Sequence, residues 1–505
     1  CHIDLPENAL AMAAQFDNSY ARLGDDYSSP VQPTPTREPR WMLFNDALAD
    51  TIHWPAAWRC TDTTLEQLAG NGLLAGSEPI STVYAGHQFG SYNPQLGDGR
   101  AILLGEWLSE TGQRLDIQLK GAGPTPFSRG GDGRSPVGPV VREFLVSEAM
   151  HALGVPTTRA LAAVATGEPV YRTGMEPGAV LTRVASSHLR IGTVQYFAMT
   201  QGGEGLAALI DYVVDRHFAQ PWALAEDAGG TATNKATVLL AEEGKKLAVL
   251  VAHWQSLGFI HGVLNTDNML LCGETVDYGP CAFIDGHNPD RVFSAIDVQG
   301  RYAYRNQPGI VHWNLSVLAQ CLLPLIHDEQ EQAVAMAQQL IDAFPQQYAD
   351  AYSGFMATKF GFDGLRPDDK ALVDGFFDVL GSDHLDFTLA FRWLTELAQD
   401  SVDQSPIADL FTPSAALKDW LPQWQARRAG TSEEAIARMA SHNPVVIPRN
   451  HHIARAIARA DAEDYSVMAA YYSRWQHPHQ WLAGDENLAA APTSDEIVHK
   501  TFCGT

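Results

Sequence analysis

Residues 261–279 read HGVLNTDNMLLCGETVDYG, and three oxygen-bearing side chains stand out in them: Asp267, Asn268 and Asp277. Asn268 and Asp277 lie nine residues apart, on either side of a short apolar run and a turn. Both suit a hard divalent cation, Mg2+ or Mn2+, that bridges phosphates. Asp267, next to Asn268, can serve as a general base or as an orienting group. The stretch has the pattern of a protein-kinase catalytic loop, H-R-D-L-x-x-x-N, in which the base stands third. Here the third position is Val263, which accepts no proton. His261 with Gly262 reads as structural, and Asn265 as a hydrogen-bonding residue of the loop itself.

A site that handles phosphates needs positive charge and close backbone approach, and the upstream sequence offers both. Gly97-Asp98-Gly99-Arg100 leads straight into a strand-like run. Glycines there let the backbone meet a phosphate, and Arg100 can pair with its oxygens. The same residues make an ordinary Asp-Gly hairpin turn. Lys120 ends the next strand-like run on its polar face, where an ammonium can neutralise phosphate or simply sit in solvent. Glu143, on the helical stretch that follows, shares a face with Val146 and Met150. A carboxylate on such a face needs a partner, for which Lys120 is a candidate; Glu148 is the rival carboxylate. The connection GAGPTPFSRGGDGRSPVGP (121–139) is long enough to be functional or mobile, and its Asp132, Gly133 and Arg134 can reach a nucleotide. Arg183 and Arg190, in LTRVASSHLRIGT, suit phosphate or carboxylate recognition, or a structural ion pair.

These residues must be positioned by a large fold. The chain has 505 residues, 45% of them hydrophobic and 18% charged, a globular composition. Its 59 acidic and 34 basic residues leave a net charge of -25, which argues against nucleic acid as a partner. No unbroken apolar run of membrane-spanning length occurs, so no membrane partner is expected. The opening CHIDLPENAL carries neither the basic nor the apolar region of a signal peptide. The six cysteines are scattered without a CxxC pair, which argues against a zinc ribbon or a disulfide framework. A reducing, bacterial cytoplasmic setting and a monomer are expected.

Along the chain, AILLGEWL and RLDIQLKG flank SETGQ and predict a hairpin. Leu115, Ile117 and Leu119 share one strand face, and Asp116, Gln118 and Lys120 the other. PVVREFLVSEAMHALG predicts a helix closed by Gly154 and Pro156, and AVLTRVA another strand. From about 201 the pattern is helical, and LLAEEGKKLAVLVAHWQSLG delivers the chain to His261. Strands first, helices second and a loop motif between them predict an α+β, protein-kinase-like two-lobed fold. Its expected parts are an N-terminal extension packed on the core (1–75), a strand-rich lobe (76–200), a helical lobe with the catalytic loop (201–420), and a helical extension with a Cys-containing tail (421–505).

The motifs YAGHQFGSYNPQLGDGRAILLGE, QLKGAGPTPFSRGGDGRSP, REFLVSEAMHALGVPTTRAL, SSHLRIGTVQYF, HGVLNTDNM, TVDYGPCAFID and QGRYAYRNQPGIVHWNL, long and collinear, resemble the selenoprotein O (YdiU) family. That resemblance implies a kinase-like fold and protein AMPylation: transfer of AMP from ATP to Ser, Thr or Tyr hydroxyls of protein substrates. It implies a nucleotide bound flipped relative to kinases, with its α-phosphate toward the acceptor. Carried onto this chain, it makes Gly97, Gly99, Arg100, Lys120, Asp132, Gly133, Arg183 and Arg190 nucleotide contacts. Glu143 becomes the partner of Lys120, Asp267 the catalytic base, and Asn268 and Asp277 the metal ligands, with Asp277 also near ATP. UMP transfer with manganese, γ-phosphate transfer and a silent nucleotide-binding scaffold are the alternatives. Val263 counts against the γ-phosphate transferase, and the joint presence of Lys120, Glu143, Asp267, Asn268 and Asp277 against the scaffold. Cys503 matches the family's C-terminal Cys or selenocysteine. It implies either a regulatory disulfide with Cys272 or Cys281, or a tail thiol.

Overall fold

The computed structural model describes residues 15–228 and 233–501. It falls into two compact units. The first holds the chain up to Val83, Leu96–Val140 and Thr158–His188; the second holds Tyr84–Gln95, Val141–Thr157 and the chain from Leu189 onward.

The first unit is built on an antiparallel sheet. Its strands run in the order Ser28–Pro30, Ile80–Thr82, Ala101–Leu108, Arg114–Lys120, Met175–Ala185, Arg159–Tyr171 and Arg40–Phe44. The hairpin expected from alternating side chains pairs Ala101 with Lys120 and Leu108 with Arg114. Its register shifts between Leu103 and Gly105. Gly105 has φ +147°, and a side chain there would collide with Asn18 Oδ1. Leu115, Ile117 and Leu119 enter a core with Trp54, Ile102, Leu104 and Trp107. The opposite, polar face is buried as well: Asp116, Gln118 and Lys120 are all shielded. Burial there is tolerated where carboxylate and amide oxygens are bonded. Asp116 accepts the His188 N–H at 2.7 Å, and Gln118 Oε1 accepts from Arg183.

The N-terminal stretch, expected as an extension, supplies the sheet strand Arg40–Phe44. It is also fastened to the hairpin through Glu106, which is 1% exposed. That carboxylate accepts the N–H groups of Ser19 and Tyr20, each at 2.8 Å, and Arg114 Nη1 at 2.9 Å.

The second unit is helical. Its longest helix, Lys235–Leu257, starts with a reciprocal cap, the Asn234 side chain accepting the Thr237 N–H while the Thr237 hydroxyl accepts the Asn234 N–H. It stops at Gly258, in the left-handed region at φ +70°, where a Cβ would strike Ile284. The chain then pairs Phe259–Ile260 with Ala282–Phe283. Residues 261–281 are thereby closed into a loop with its two ends pinned together. The helix Gln307–Ile326 braces that loop: Gln307 accepts the His261 N–H at 2.9 Å, and Asn314 Nδ2 donates to Leu264 O at 2.9 Å. Although the sequence has no unbroken apolar run, the helical stretch Tyr304–Ile326 is long and apolar enough to cross a membrane. Its Val311, Leu315, Leu318 and Leu322 are buried inside the protein.

Candidate active site

The candidate residues divide between the two units. In the second, the pinned loop carries Asp267, Asn268 and Asp277. His261 is fully buried, with Nε2 2.8 Å from Val276 O, and burial holds its pKa down, so it shapes the loop. Val263 is buried too. Its N–H meets His261 Nδ1 at 3.3 Å and its carbonyl accepts from Asn268 Nδ2 at 3.0 Å. That second bond turns the Asn268 amide so that its oxygen is left for another partner. Asp277 sits at φ +62°, a left-handed conformation uncommon outside Gly, Asn and Asp.

Arg190 ties these pieces together. Its Nη1 donates to Asp267 O at 2.6 Å and to Asp277 Oδ2 at 3.2 Å, and its guanidinium lies 4.6 Å from the centre of the Tyr84 ring. A residue read as a nucleotide contact is thus also the link between the loop and Asp277. Asp267 is 6% exposed. Burial pushes its pKa up to about 6 against the opposing pull of Arg190. Its Oδ2 accepts from Gln88 Nε2 at 3.3 Å, whereas Oδ1 is buried with no hydrogen-bond partner. An unsatisfied buried carboxylate oxygen is costly, and such an atom suits a site whose missing partner is a substrate proton. Glu143 and its rival Glu148 both lie on the helix Val137–Ala152 and are both buried.

The remaining candidates lie in the first unit. Arg183 is fully buried in its strand opposite Gln118, and donates to Gln118 Oε1 from Nε at 3.1 Å and Nη2 at 2.6 Å. Gly97, at φ +117°, and Gly99 have a packing reason to lack side chains. A Cβ on Gly97 would lie 2.5 Å from Phe127 Cγ, and one on Gly99 2.9 Å from Phe127 O. Arg100 is half-buried just before its strand, and its carbonyl accepts the Gly121 N–H at 2.7 Å. Lys120 closes its strand in a buried position.

The 121–139 connection is folded back on itself. Gly123 N–H donates to Gly133 O at 3.1 Å, and a Cβ on Gly133 would lie 2.0 Å from Gly123 O. Asp132 takes a two-pronged bond from Arg172, at 2.9 and 3.0 Å, which lowers its pKa. Arg134 donates to Thr34 O and Pro35 O.

Sequence reasoning missed Gln88 and Tyr302, although both lie inside motifs that it quoted. Nothing in their spacing announces a role, because their partners lie far along the chain.

The donor set fits a hard divalent cation. Asn268 and Asp277 offer oxygens only, and the Asn268 amide is turned so that its oxygen is available. Among the described residues no cluster of three or more His, Cys, Asp or Glu forms a protein-only metal cage. Cys60, Cys272, Cys281 and Cys321 are thiols; Cys503 lies outside the described residues. The tail just before it is anchored, Thr501 donating to Phe293 O at 2.8 Å and to Pro280 O at 2.6 Å.

Residues 10–476 match the family described as Protein adenylyltransferase SelO. Similar proteins described as "Protein nucleotidyltransferase YdiU" include one from a Bradyrhizobium species, 47% identical over 97% of this chain and 99% of the relative. One from Anoxybacillus flavithermus is 45% identical, again over 97% of this chain and 99% of the relative. One from Maridesulfovibrio salexigens is 45% identical over 97% and 98%.

Proposed function

The chain belongs to the SelO family of protein adenylyltransferases, and from that premise we propose that it transfers AMP from ATP to Ser, Thr or Tyr hydroxyls of other proteins. It is a protein nucleotidyltransferase; the nucleotide, acceptor and metal are the proposed detail. The observation that carries the reading is Asp267, a buried carboxylate with one oxygen open, in a loop where Val263 holds the kinase base position. The fold is taken as kinase-like, supported by an antiparallel sheet in the N-terminal part, a helical C-terminal half and a pinned loop between Ile260 and Ala282.

In this reading the acceptor oxygen attacks the α-phosphorus and a new P–O bond forms. The bond from that phosphorus to the bridging oxygen breaks, and pyrophosphate leaves with the electron pair. The hydroxyl proton passes to Asp267. Arg190, bonded to the Asp267 carbonyl and to Asp277, supplies positive charge beside the base, and the family assignment adds Arg100, Lys120 and Arg183 as nucleotide contacts. Asn268 and Asp277 would hold Mg2+ or Mn2+, which neutralises phosphate charge when bound. A reversed nucleotide brings the α-phosphorus to the acceptor, so a carboxylate at position 263 is not needed.

The test is label transfer from ATP labelled on the α- or the γ-phosphate, with Mg2+ or Mn2+. Protein labelled only from the α position, and not by Asp277→Ala, is the expected result. Label from γ alone would make the chain a phosphotransferase, and transfer from α-labelled UTP in preference to ATP would make it a UMP transferase. Nucleotide binding with no transfer would leave a scaffold.

A further inference from the structure

Three consecutive residues of a small hairpin grip three consecutive residues of the catalytic loop. The hairpin pairs Gly86–Gln88 with Ser91–Asn93. His87 N–H donates to Thr266 Oγ1 at 2.7 Å, Gln88 Nε2 to Asp267 Oδ2 at 3.3 Å, and Phe89 N–H to Asn265 Oδ1 at 3.2 Å. Tyr302 locks the arrangement from a further segment. Its hydroxyl donates to Asn265 Oδ1 at 2.6 Å and accepts the Phe89 N–H at 3.2 Å, and its ring lies 5.1 Å from that of Phe89. The His87 ring is itself held, with Nδ1 2.8 Å from Gln195 Nε2.

The turn between the strands is strained. Its two central residues, Phe89 and Gly90, have φ of +51° and +84°. A two-residue turn with both φ positive favours Asn, Asp or Gly, and an aromatic side chain at its first position is unfavourable. Strain of this kind persists only where the surroundings enforce it, and it collects at functional sites. Here the enforcing contacts are the bonds to Asn265 and Tyr302, and the result of the turn is the placement of Gln88.

We propose that Gln88 is a positioning residue for the transfer reaction: it occupies Asp267 Oδ2 and so presents Oδ1 as the single oxygen that takes the acceptor's proton. The inference rests on the reading of Asp267 as the base. Only an amide nitrogen can face a carboxylate oxygen, which fixes the orientation of the Gln88 side chain. A neutral donor fixes the carboxylate rotamer without adding a charge. The guanidinium of Arg190 is spent on the Asp267 backbone carbonyl and on Asp277. Oδ1 is the buried atom left without a partner, as the proposal requires.

The experiment uses the full chain with α-labelled ATP and a random polypeptide carrying Ser, Thr and Tyr, alongside the chain's own side chains as acceptors. Gln88→Met keeps the length and removes the donor; Gln88→Glu keeps the shape and reverses the polarity. Both are expected to lower kcat about ten- to a hundredfold, with KM for ATP and the thermal midpoint unchanged. In an Asp267→Asn background, Gln88→Met is expected to add nothing. A Gln88→Met enzyme with wild-type kcat overturns the proposal, as does a loss that appears equally in KM or follows a lowered midpoint. If Asp267→Asn itself transfers at the wild-type rate, the base assignment fails first and this inference falls with it. If Asp267→Asn is inactive and Gln88→Met keeps the wild-type kcat, only the positioning role fails.

Discussion

Val263 stands where a kinase-type loop would carry its proton acceptor, and its surroundings disfavour a charged one. The side chain is 5% exposed, and the backbone on either side of it is already bonded to His261 and Asn268. A carboxylate there would be buried beside a ring nitrogen that accepts from the backbone. Val263→Asp is therefore expected to destabilise the protein by about 2–3 kcal/mol, read from the denaturant midpoint, and to yield no transfer from γ-labelled ATP. Appearance of γ-label would mean that the loop can host two reactions and that position 263 alone selects between them. Asp267 differs from Val263 in kind. It is equally buried, yet it has one oxygen bonded and one open, and the proposed base role rests on that asymmetry.

At the scale of elements, what the sequence showed depended on how local the cause was. The Ala101–Leu108 and Arg114–Lys120 hairpin was legible because two strand-like runs around a Gly-containing turn, the second of them alternating, are a local signal. The long helix to Leu257 was legible from its amphipathic pattern. Burial of the polar face of Asp116, Gln118 and Lys120 was not, because Arg183, the partner of Gln118, and His188, the partner of Asp116, lie 65 and 72 residues away along the chain. The Gly97–Gly99 turn looked like a phosphate cradle or a plain hairpin bend. Its glycines also face Phe127, in a connection that the sequence left equally open to being a mobile loop. Gly97→Ala is expected to cost about 2 kcal/mol, from the strained φ and the clash. Combined with Phe127→Ala, the loss should fall short of the sum of the two single losses by about 1 kcal/mol. Strict additivity in a thermal or denaturant series would show that the glycine serves only the backbone turn.

For the molecule as a whole, a net charge of -25 contrasts with basic groups buried in the helical half. Burial holds His253 and His452 down to about 3, and His287 and His479 to about 4. Lys359, lying 4.2 Å from the centre of the Phe391 ring, is held down to about 7. Each of these groups has a folded pKa below its unfolded one. Between the two values the unfolded chain binds more protons, so stability rises with pH across that window and falls in acid. For the histidines the window runs from about 3–4 up to 6.5. For Lys359 it runs from about 7 up to 10.5. Glu243, fully buried and raised to about 8, slopes the other way between 4.5 and 8. It is common to wild type and any Lys359 variant, so it cancels in their difference. At pH 7 and below, the native state carries the whole cost of a buried ammonium. Lys359→Met is accordingly expected to stabilise the protein there by an amount on the order of 3 kcal/mol. That advantage should shrink through pH 8 and 9 and vanish near 10.5. Urea unfolding midpoints for the two proteins at pH 6, 8 and 10 would trace it. A constant gap across that range would mean that Lys359 is neutral throughout and that the gain is one of packing.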